Sequence, residues 1–257
     1  MTTVHPTAVI GGGAQLGEGV DVGPYCVVGP DVRLGAGTRL LSHVVVDGHT
    51  TLGAGCTVFP FACLGTLTQD RKYAGGTTRV EIGDATTIRE YVTVNSGTQD
   101  GEVTRVGSKC LLLAYCHVAH GCSVGNEVTM ANGASLSGEV VVEDMVTIGG
   151  MTGVHQFVRI GRLCMVGGMS RITQDCPPFM IVEGHEARVH APNSVGLERR
   201  GVDPKTRKLI KDAYKILYRE ELATRQAVEK IRAQLELVPE IEHLLAFIEK
   251  STRGIVK

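Results

Sequence analysis

Along most of this chain an aliphatic residue returns at every sixth position. From Val4 the series runs through Ile10, Leu16, Val22, Val28, Leu34, Leu40, Val46, Leu52 and Val58 to Leu64, with a glycine directly after seven of these positions. The phase is lost after Gly65, returns at Ile82, Ile88 and Val94, is lost again, and holds from Val106 to Ile172. A period of six matches neither an amphipathic helix nor a simple alternating strand. It suits a short strand and a tight corner, repeated, with one aliphatic side chain per flat side pointing inward. Three sides make a coil of about 18 residues, and coils stacked in parallel register satisfy each other's backbone hydrogen bonds. Glycine beside the aliphatic suits the corners, where a missing Cβ helps. A glycine-rich linker has no reason to keep aliphatics in phase, so the pattern predicts an all-β solenoid, a parallel β-helix built from six-residue repeats.

Two segments break the period, 66–81 (TLTQDRKYAGGTTRVE) and 95–105 (NSGTQDGEVTR). Both are polar, charged and glycine-bearing, which predicts loops that leave the wall; such loops on a rigid scaffold often carry binding groups. Pro177 and Pro178 are expected to end the regular coil. From Asp203 the period changes to three and four, at Leu209, Ala213, Ile216 and Leu217, with Asp203 placed to cap and Pro204 at the first helical position. A second helix is expected over roughly 224–237 and a third from Pro239, carrying Ile241, Leu244, Leu245 and Ile248. The domain reading is 1–190 for the β-helix and 191–257 for a small C-terminal α-helical domain.

Charge narrows the partners. The chain has 26 Lys plus Arg against 27 Asp plus Glu, so no strong attraction to a phosphate backbone is expected. A DNA-binding helical bundle is therefore the lesser reading of the C-terminal helices, and no nucleic-acid partner is predicted. No apolar run is long enough for a transmembrane segment, and the first residues have no signal-peptide pattern. A cytoplasmic location follows as the expectation. The eight cysteines form no close Cys-x-x-Cys pair and read as reduced small hydrophobes.

The chemistry concentrates at His117 and His120, in CLLLAYCHVAHGCSVG (110–125). Neither lies on the aliphatic ladder, which disfavours burial in the core. Stepping forward by one coil, His120 leads to Gly138 and then Gln156, and His117 to Ser135 and Gly153. Three readings stand. The histidines are solvent-facing structural residues; or His117, His120 and Glu139 hold a metal, for which no short ligand spacing speaks; or His120 moves a proton, since imidazole titrates near neutral pH without help.

At these residues the sequence resembles the acyl-carrier-protein-dependent UDP-N-acetylglucosamine O-acyltransferases of lipid A biosynthesis. The resemblance spans essentially the whole chain, through GPYCVVGP (23–30), SHVVVDGHT (42–50), QDRKYAG (69–75), TRVEIGD (78–84), IRE (88–90), HVAH (117–120), IGGMTGVHQF (148–157) and STRG (251–254). It implies a left-handed parallel β-helix, a hand that ordinary crossover rules would not give. It also implies a homotrimer with sites between subunits. The implied reaction carries a 3-hydroxyacyl group from the phosphopantetheine arm of acyl carrier protein to the 3-position of the UDP-sugar, with no cofactor and no metal. By resemblance, His120 is the general base and the Gly138 N–H the oxyanion donor. Asp70, Lys72, His117 and Gln156 line the sugar-nucleotide or acyl site, Asn193, Arg199 and Arg200 reach the nucleotide across the interface, and Gly168 sets acyl length.

The chain departs from the family pattern at four places. Gly121 stands where the family has an aspartate after the base, Glu139 where it usually has a histidine, and Glu186 and Val195 replace a familiar histidine and glutamate. These changes open a second acceptor, a 3-amino sugar nucleotide whose ammonium Glu139 would bind. A metal-dependent lyase and a non-catalytic trimer that binds carrier protein are the readings from other classes.

Overall fold

The computed structural model describes all residues, 1–257. Most six-residue units form a two-residue strand, such as Val27–Val28, Arg33–Leu34 and His117–Val118. From Asp21–Val22 onward the second residue of each is buried and the first faces outward; in the first coil Val4, Ile10 and Leu16 are still partly exposed. The strands stack into three sheets of 11, 9 and 8 strands, the faces of a triangular prism, parallel throughout except for the last strand of the 11-stranded sheet. Pairing confirms three six-residue units to the coil: Thr3 lies opposite Asp21, and His117 opposite Ser135, which lies opposite Gly153. The aliphatic ladder is sealed: Val118, Leu136 and Ile148 have no exposure.

A second inward ladder, absent from the aliphatic reading, lies between the positions of the first. It runs Val20, Cys26, Val32, Thr38, Val44, Thr50, Cys56 and Ala62, each at most 1% exposed, and resumes later with Cys110, Cys116, Cys122 and Thr152. These positions sit next to corners, where space is narrow, so small side chains fill them. Their donors also serve a purpose. Cys26 Sγ donates to the Leu41 carbonyl at 2.8 Å, Thr38 Oγ1 to Gly53 at 2.8 Å and Thr152 Oγ1 to Gly167 at 3.0 Å, satisfying carbonyls that a turn leaves without a strand partner. All eight cysteines are free. Burial pushes the Cys116 thiol up to about 11 and the Cys122 thiol up to about 12, so neither offers a thiolate near neutral pH.

The two excursions are shorter than 66–81 and 95–105, because Arg79–Ile82 and Val103–Val106 are already paired strands of the wall; the loops leave the prism over 67–78 and 96–102 without disturbing its register. Thr57 pairs with Thr87 across the first and Thr87 with Leu111 across the second, so each longer coil still returns its strand to the same sheet. The wall then resumes its regular step, with Leu111 opposite Thr129.

The proline pair does not close the first sheet. Met180–Glu183 adds one more parallel strand beside Met165–Val166 and turns back antiparallel through Arg188–Pro192. Four helices follow, one more than the periodicity predicts: α1 (Ser194–Arg199), α2 (Pro204–Tyr218), α3 (Thr224–Gln234) and α4 (Pro239–Glu249). Asp203 caps α2 by accepting from the Thr206 N–H at 3.0 Å. Helix α3 ends at Gln234, short of 237, and Leu235 has already turned extended ahead of Pro239. The tail docks back on the prism: buried Asp175 takes the Ser251 hydroxyl at 2.7 Å, and its backbone N–H donates to Gly254 at 3.0 Å. No helix is long and apolar enough to cross a membrane.

Candidate active site

One corner of the prism gathers the residues that the sequence singles out for chemistry. His120 follows the strand His117–Val118, and the corner residues after it repeat coil by coil as Gly121, Glu139 and Phe157, with φ of 65°, 61° and 64°. The Glu139 N–H donates to the His120 carbonyl at 3.0 Å and the Phe157 N–H to the Gly138 carbonyl at 3.2 Å, which fixes consecutive corners directly over one another. His120 is thereby stacked on Gly138. A Cβ on Gly138 would overlap the imidazole at Cε1 and Nε2, so only glycine lets the ring lie there. The Gly138 N–H has no acceptor within the chain.

A cleft of about 390 Å³ opens beside the imidazole, lined among others by Asp70, Lys72, His117, His120, Gly138 and Gln156. Six residues that the sequence singles out thus converge from two sources, the wall and the first excursion. Asp70 Oδ2 lies 3.7 Å from His120 Nε2, and Asp70 Oδ1 accepts the Lys72 N–H at 3.0 Å. His117 bonds through Nδ1 to Thr93 Oγ1 at 2.7 Å. Burial, then the neighbouring His120, holds its imidazole below the ordinary value, which favours a neutral ring beside His120.

The loops are tied to each other as well as to the wall. Thr68 and Thr98, both buried, share a hydrogen bond at 3.0 Å between the two excursions, and the Asp70 N–H donates to Thr68 Oγ1 at 3.1 Å. The second excursion ends at Glu102, a residue to which no sequence motif points. Its Oε2 accepts the Gln99 N–H at 2.9 Å and also the Thr98 N–H. Stepping back one coil from His120 reaches Glu102, so the column is Glu102, His120, Gly138 and Gln156. The forward arithmetic that finds Gly138 and Gln156 finds Glu102 in reverse.

Glu102, His120 and Glu139 bring one ligand atom each within 4.8 Å of one another. The acidic cluster is therefore built around Glu102, whereas the metal reading had drawn on His117. Glu139 faces Glu102 across Gly121 and does not line the cleft. The remaining candidates lie elsewhere in the chain. Asn193 caps α1, accepting the Gly196 N–H at 3.0 Å and donating to the Leu163 carbonyl at 2.9 Å. Arg199 is exposed, Arg200 is ion-paired to Glu127, and Gly168 lies exposed beside Gly150.

A family model described as UDP-N-acetylglucosamine O-acyltransferase, domain 2, matches residues 175–256. Proteins named acyl-[acyl-carrier-protein]–UDP-N-acetylglucosamine O-acyltransferase match end to end. The one from Paracidovorax citrulli is 53% identical and the one from Thermodesulfovibrio yellowstonii 46%, each with 100% of both chains covered. The chain belongs to the UDP-N-acetylglucosamine O-acyltransferase family. Its members' solved structures superpose closely. LpxA from Acinetobacter baumannii gives a TM-score of 0.95 at 40% identity, covering 99% of each chain. The UDP-N-acetylglucosamine acyltransferase from Bacteroides fragilis gives 0.95 at 33%, covering 99% of this chain and 100% of its own. The fold is the left-handed parallel β-helix with C-terminal helices, and the chain is an acyltransferase.

Proposed function

We propose that this enzyme transfers a 3-hydroxyacyl group from acyl carrier protein to the 3-hydroxyl of UDP-N-acetylglucosamine, the first step of lipid A biosynthesis, and that it does so in the cytoplasm. The observation that carries this reading is the imidazole of His120 lying on Gly138, whose N–H is free, at the edge of a cleft floored by Asp70, Lys72, His117 and Gln156. In the proposed step Nε2 of His120 takes the proton of the sugar 3-hydroxyl as its oxygen attacks the thioester carbonyl carbon. The charge that develops on the carbonyl oxygen is met by the Gly138 N–H. Collapse breaks the carbon–sulfur bond, and the leaving thiolate of the phosphopantetheine arm takes the proton back from the imidazolium. Atoms and charge balance without a cofactor.

Asp70, Lys72, His117 and Gln156 hold the sugar nucleotide in this reading. Asn193, Arg199 and Arg200 lie outside the cleft of their own protomer, which supports their acting on the nucleotide bound by a neighbour in a homotrimer; paired arginines suit a diphosphate. An exposed stack of rings along one prism edge also supports assembly. Tyr25, His43, Phe61, Tyr91 and Tyr115 lie with successive centroids 4.9 to 5.0 Å apart, an apolar edge of the kind that a second copy covers. The trimer mass is about 82 kDa from a 27.4 kDa chain. Gly168 marks the acyl path. Glu139, engaged with Glu102, leaves an amine acceptor without the free carboxylate on which that alternative relied.

The test is mass analysis of the product formed from acyl carrier protein loaded with a 3-hydroxyacyl chain, with UDP-N-acetylglucosamine and its 3-amino analogue offered together. An ester at the 3-position supports the reading. Exclusive amide formation overturns the acceptor, and absence of either product overturns the activity.

A further inference from the structure

The corner at Gly121 is where two carboxyl groups meet behind the proposed base. A Cβ on residue 121 would overlap Oε1 of Glu102 and Oε1 of Glu139. Glycine at this left-handed corner clears the space into which one side chain reaches from the second excursion and another from the next coil. Glu102 is fixed at its other oxygen by the N–H groups of Thr98 and Gln99. One imidazole nitrogen and one oxygen of each carboxyl lie within 4.8 Å of one another. Nε2 of His120 overlies Gly138 and faces Asp70, while Nδ1 is buried without a hydrogen-bond partner. A base that accepts at Nε2 must carry its proton on Nδ1, and that N–H needs an acceptor.

We propose that Glu102 and Glu139 form a hydrogen-bonded carboxyl pair that acts as the positioning unit for His120, sharing one proton and presenting one negative charge behind the imidazole. The pair keeps Nδ1 protonated, leaves Nε2 open to the acceptor, and balances the positive charge that the ring gains during transfer. This rests on the general-base reading of His120. The carboxylate reaches the base from the column neighbour one coil before and the corner residue one coil after.

Electrostatics agree with a shared proton. Burial, then the hydrogen bond and charge of Glu102, push the Glu139 carboxyl up to about 7. Burial also works to raise Glu102, but hydrogen bonds from Glu139 and from the Gln99 and Thr98 N–H groups hold it below its ordinary value. Two carboxyls in contact do not both ionise readily, so one stays protonated. The other titratable groups around the imidazole are Asp70 and Lys72 from the first excursion, and His117 and Cys122 from its own coil.

The experiment combines carbon-13 NMR titration of the glutamate carboxyls in the free trimer with kinetics of E102Q, E139Q and E102Q/E139Q. In the unmodified enzyme one carboxyl should titrate at about 7 and not at the ordinary glutamate value of 4.5, and its midpoint should fall in E102Q. The double variant should lose at least about tenfold in kcat, with KM for the sugar nucleotide within about twofold, because the pair touches no substrate. Each single variant keeps one carboxylate and should lose less, and the near-neutral inflection in its pH–rate profile should move. A Glu139 carboxyl with the ordinary midpoint in the free protein overturns the pair whatever the activity, and so does a folded double variant with unchanged kcat at every pH. Absence of any product with the unmodified enzyme would instead strike the functional reading, while the NMR titration still judges the pair.

Discussion

The wall of the prism and the two excursions that interrupt it are made by opposite rules. In the wall, position is set by repetition: Val118, Leu136 and Val154 stack because each strand pairs with its counterpart in the next coil. A side chain there is defined by what lies above and below it. In the excursions no residue repeats, and order comes from single hydrogen bonds such as Thr68 to Thr98 and Glu102 to Gln99. The candidate site draws on both. The wall delivers His120, Gly138 and Gln156 as one column, and the loops bring Asp70 and Glu102 to it. Stability and chemistry should therefore separate cleanly when residues of the two kinds are changed.

The sharpest test of that separation pairs Ile148→Ala with His120→Ala. Ile148 is fully buried between Met130 and Val166. Its truncation leaves a cavity in a rigid ladder and should cost about 2–5 kcal/mol, with the remaining folded enzyme turning over normally. His120 lies at a corner off the ladder, so H120A should change stability by less than about 1 kcal/mol and reduce kcat about 100-fold or more. Denaturant melts beside single-substrate kinetics check both. A folded, fully active H120A would break the assignment of the base.

Gly168→Met comes next in size. If Gly168 marks the acyl path, an added thioether shortens the room available, and preference among acyl carrier proteins should move to shorter chains. Discrimination is worth about 1–3 kcal/mol per methylene at most, so the preference ratio should change by a factor of ten or so and not become absolute. Competition between loaded carrier proteins of different chain length measures it. An active G168M with unchanged preference would place the path elsewhere.

Thr98→Val probes the excursions alone. It removes one buried hydroxyl partner of Thr68, while Thr68 Oγ1 keeps the Asp70 N–H. The cost should be about 1 kcal/mol, confined to the loops, with faster amide exchange at Asp70 and a modest loss of kcat. Unaltered exchange at Asp70 would mean that the two loops are ordered independently.

The same division explains what the sequence could convey. The period of six carries the wall because identical demands recur, and it alone places His120, Gly138 and Gln156 in one column. The second ladder is hard to see in the sequence because Cys26, Thr38, Cys56 and Ala62 share size and burial and not a chemical type. Helix α1 is six residues, SVGLER, too short to display a period and with Gly196 inside it. Glu102 belongs to the column by register, but it closes an excursion, where the repeating pattern has just been lost. Its role depends on Gly121, whose missing side chain is read in sequence as a loss and in three dimensions as the space the two carboxyls fill.

The smallest effect is a change in the pH dependence of stability on replacing Glu139. Its folded-state value is raised from 4.5 to about 7, so between these limits the folded protein holds a proton that the unfolded chain has released. Its contribution is fully present below pH 4.5 and is lost as pH rises through about 7. Glu102, held below its ordinary value, contributes above that value and loses its share only at more acid pH. His117 opposes Glu139 in the same window: its imidazole is lowered from 6.5, so its contribution is present above 6.5 and falls as the pH drops. The net profile of the unmodified enzyme mixes these signs, and only the difference from a variant isolates one. E139Q removes the Glu139 titration and keeps a side chain of the same size, so its Tm should gain relative to the unmodified enzyme on going from pH 5 to pH 8. Glu139 is only partly buried and solvent screening will keep the gain small. Thermal melts at the two pH values decide it: a difference between the two proteins that stays constant from pH 5 to pH 8 would show that Glu139 releases its proton at the ordinary carboxyl value, and that the corner at Gly121 holds two independent charges.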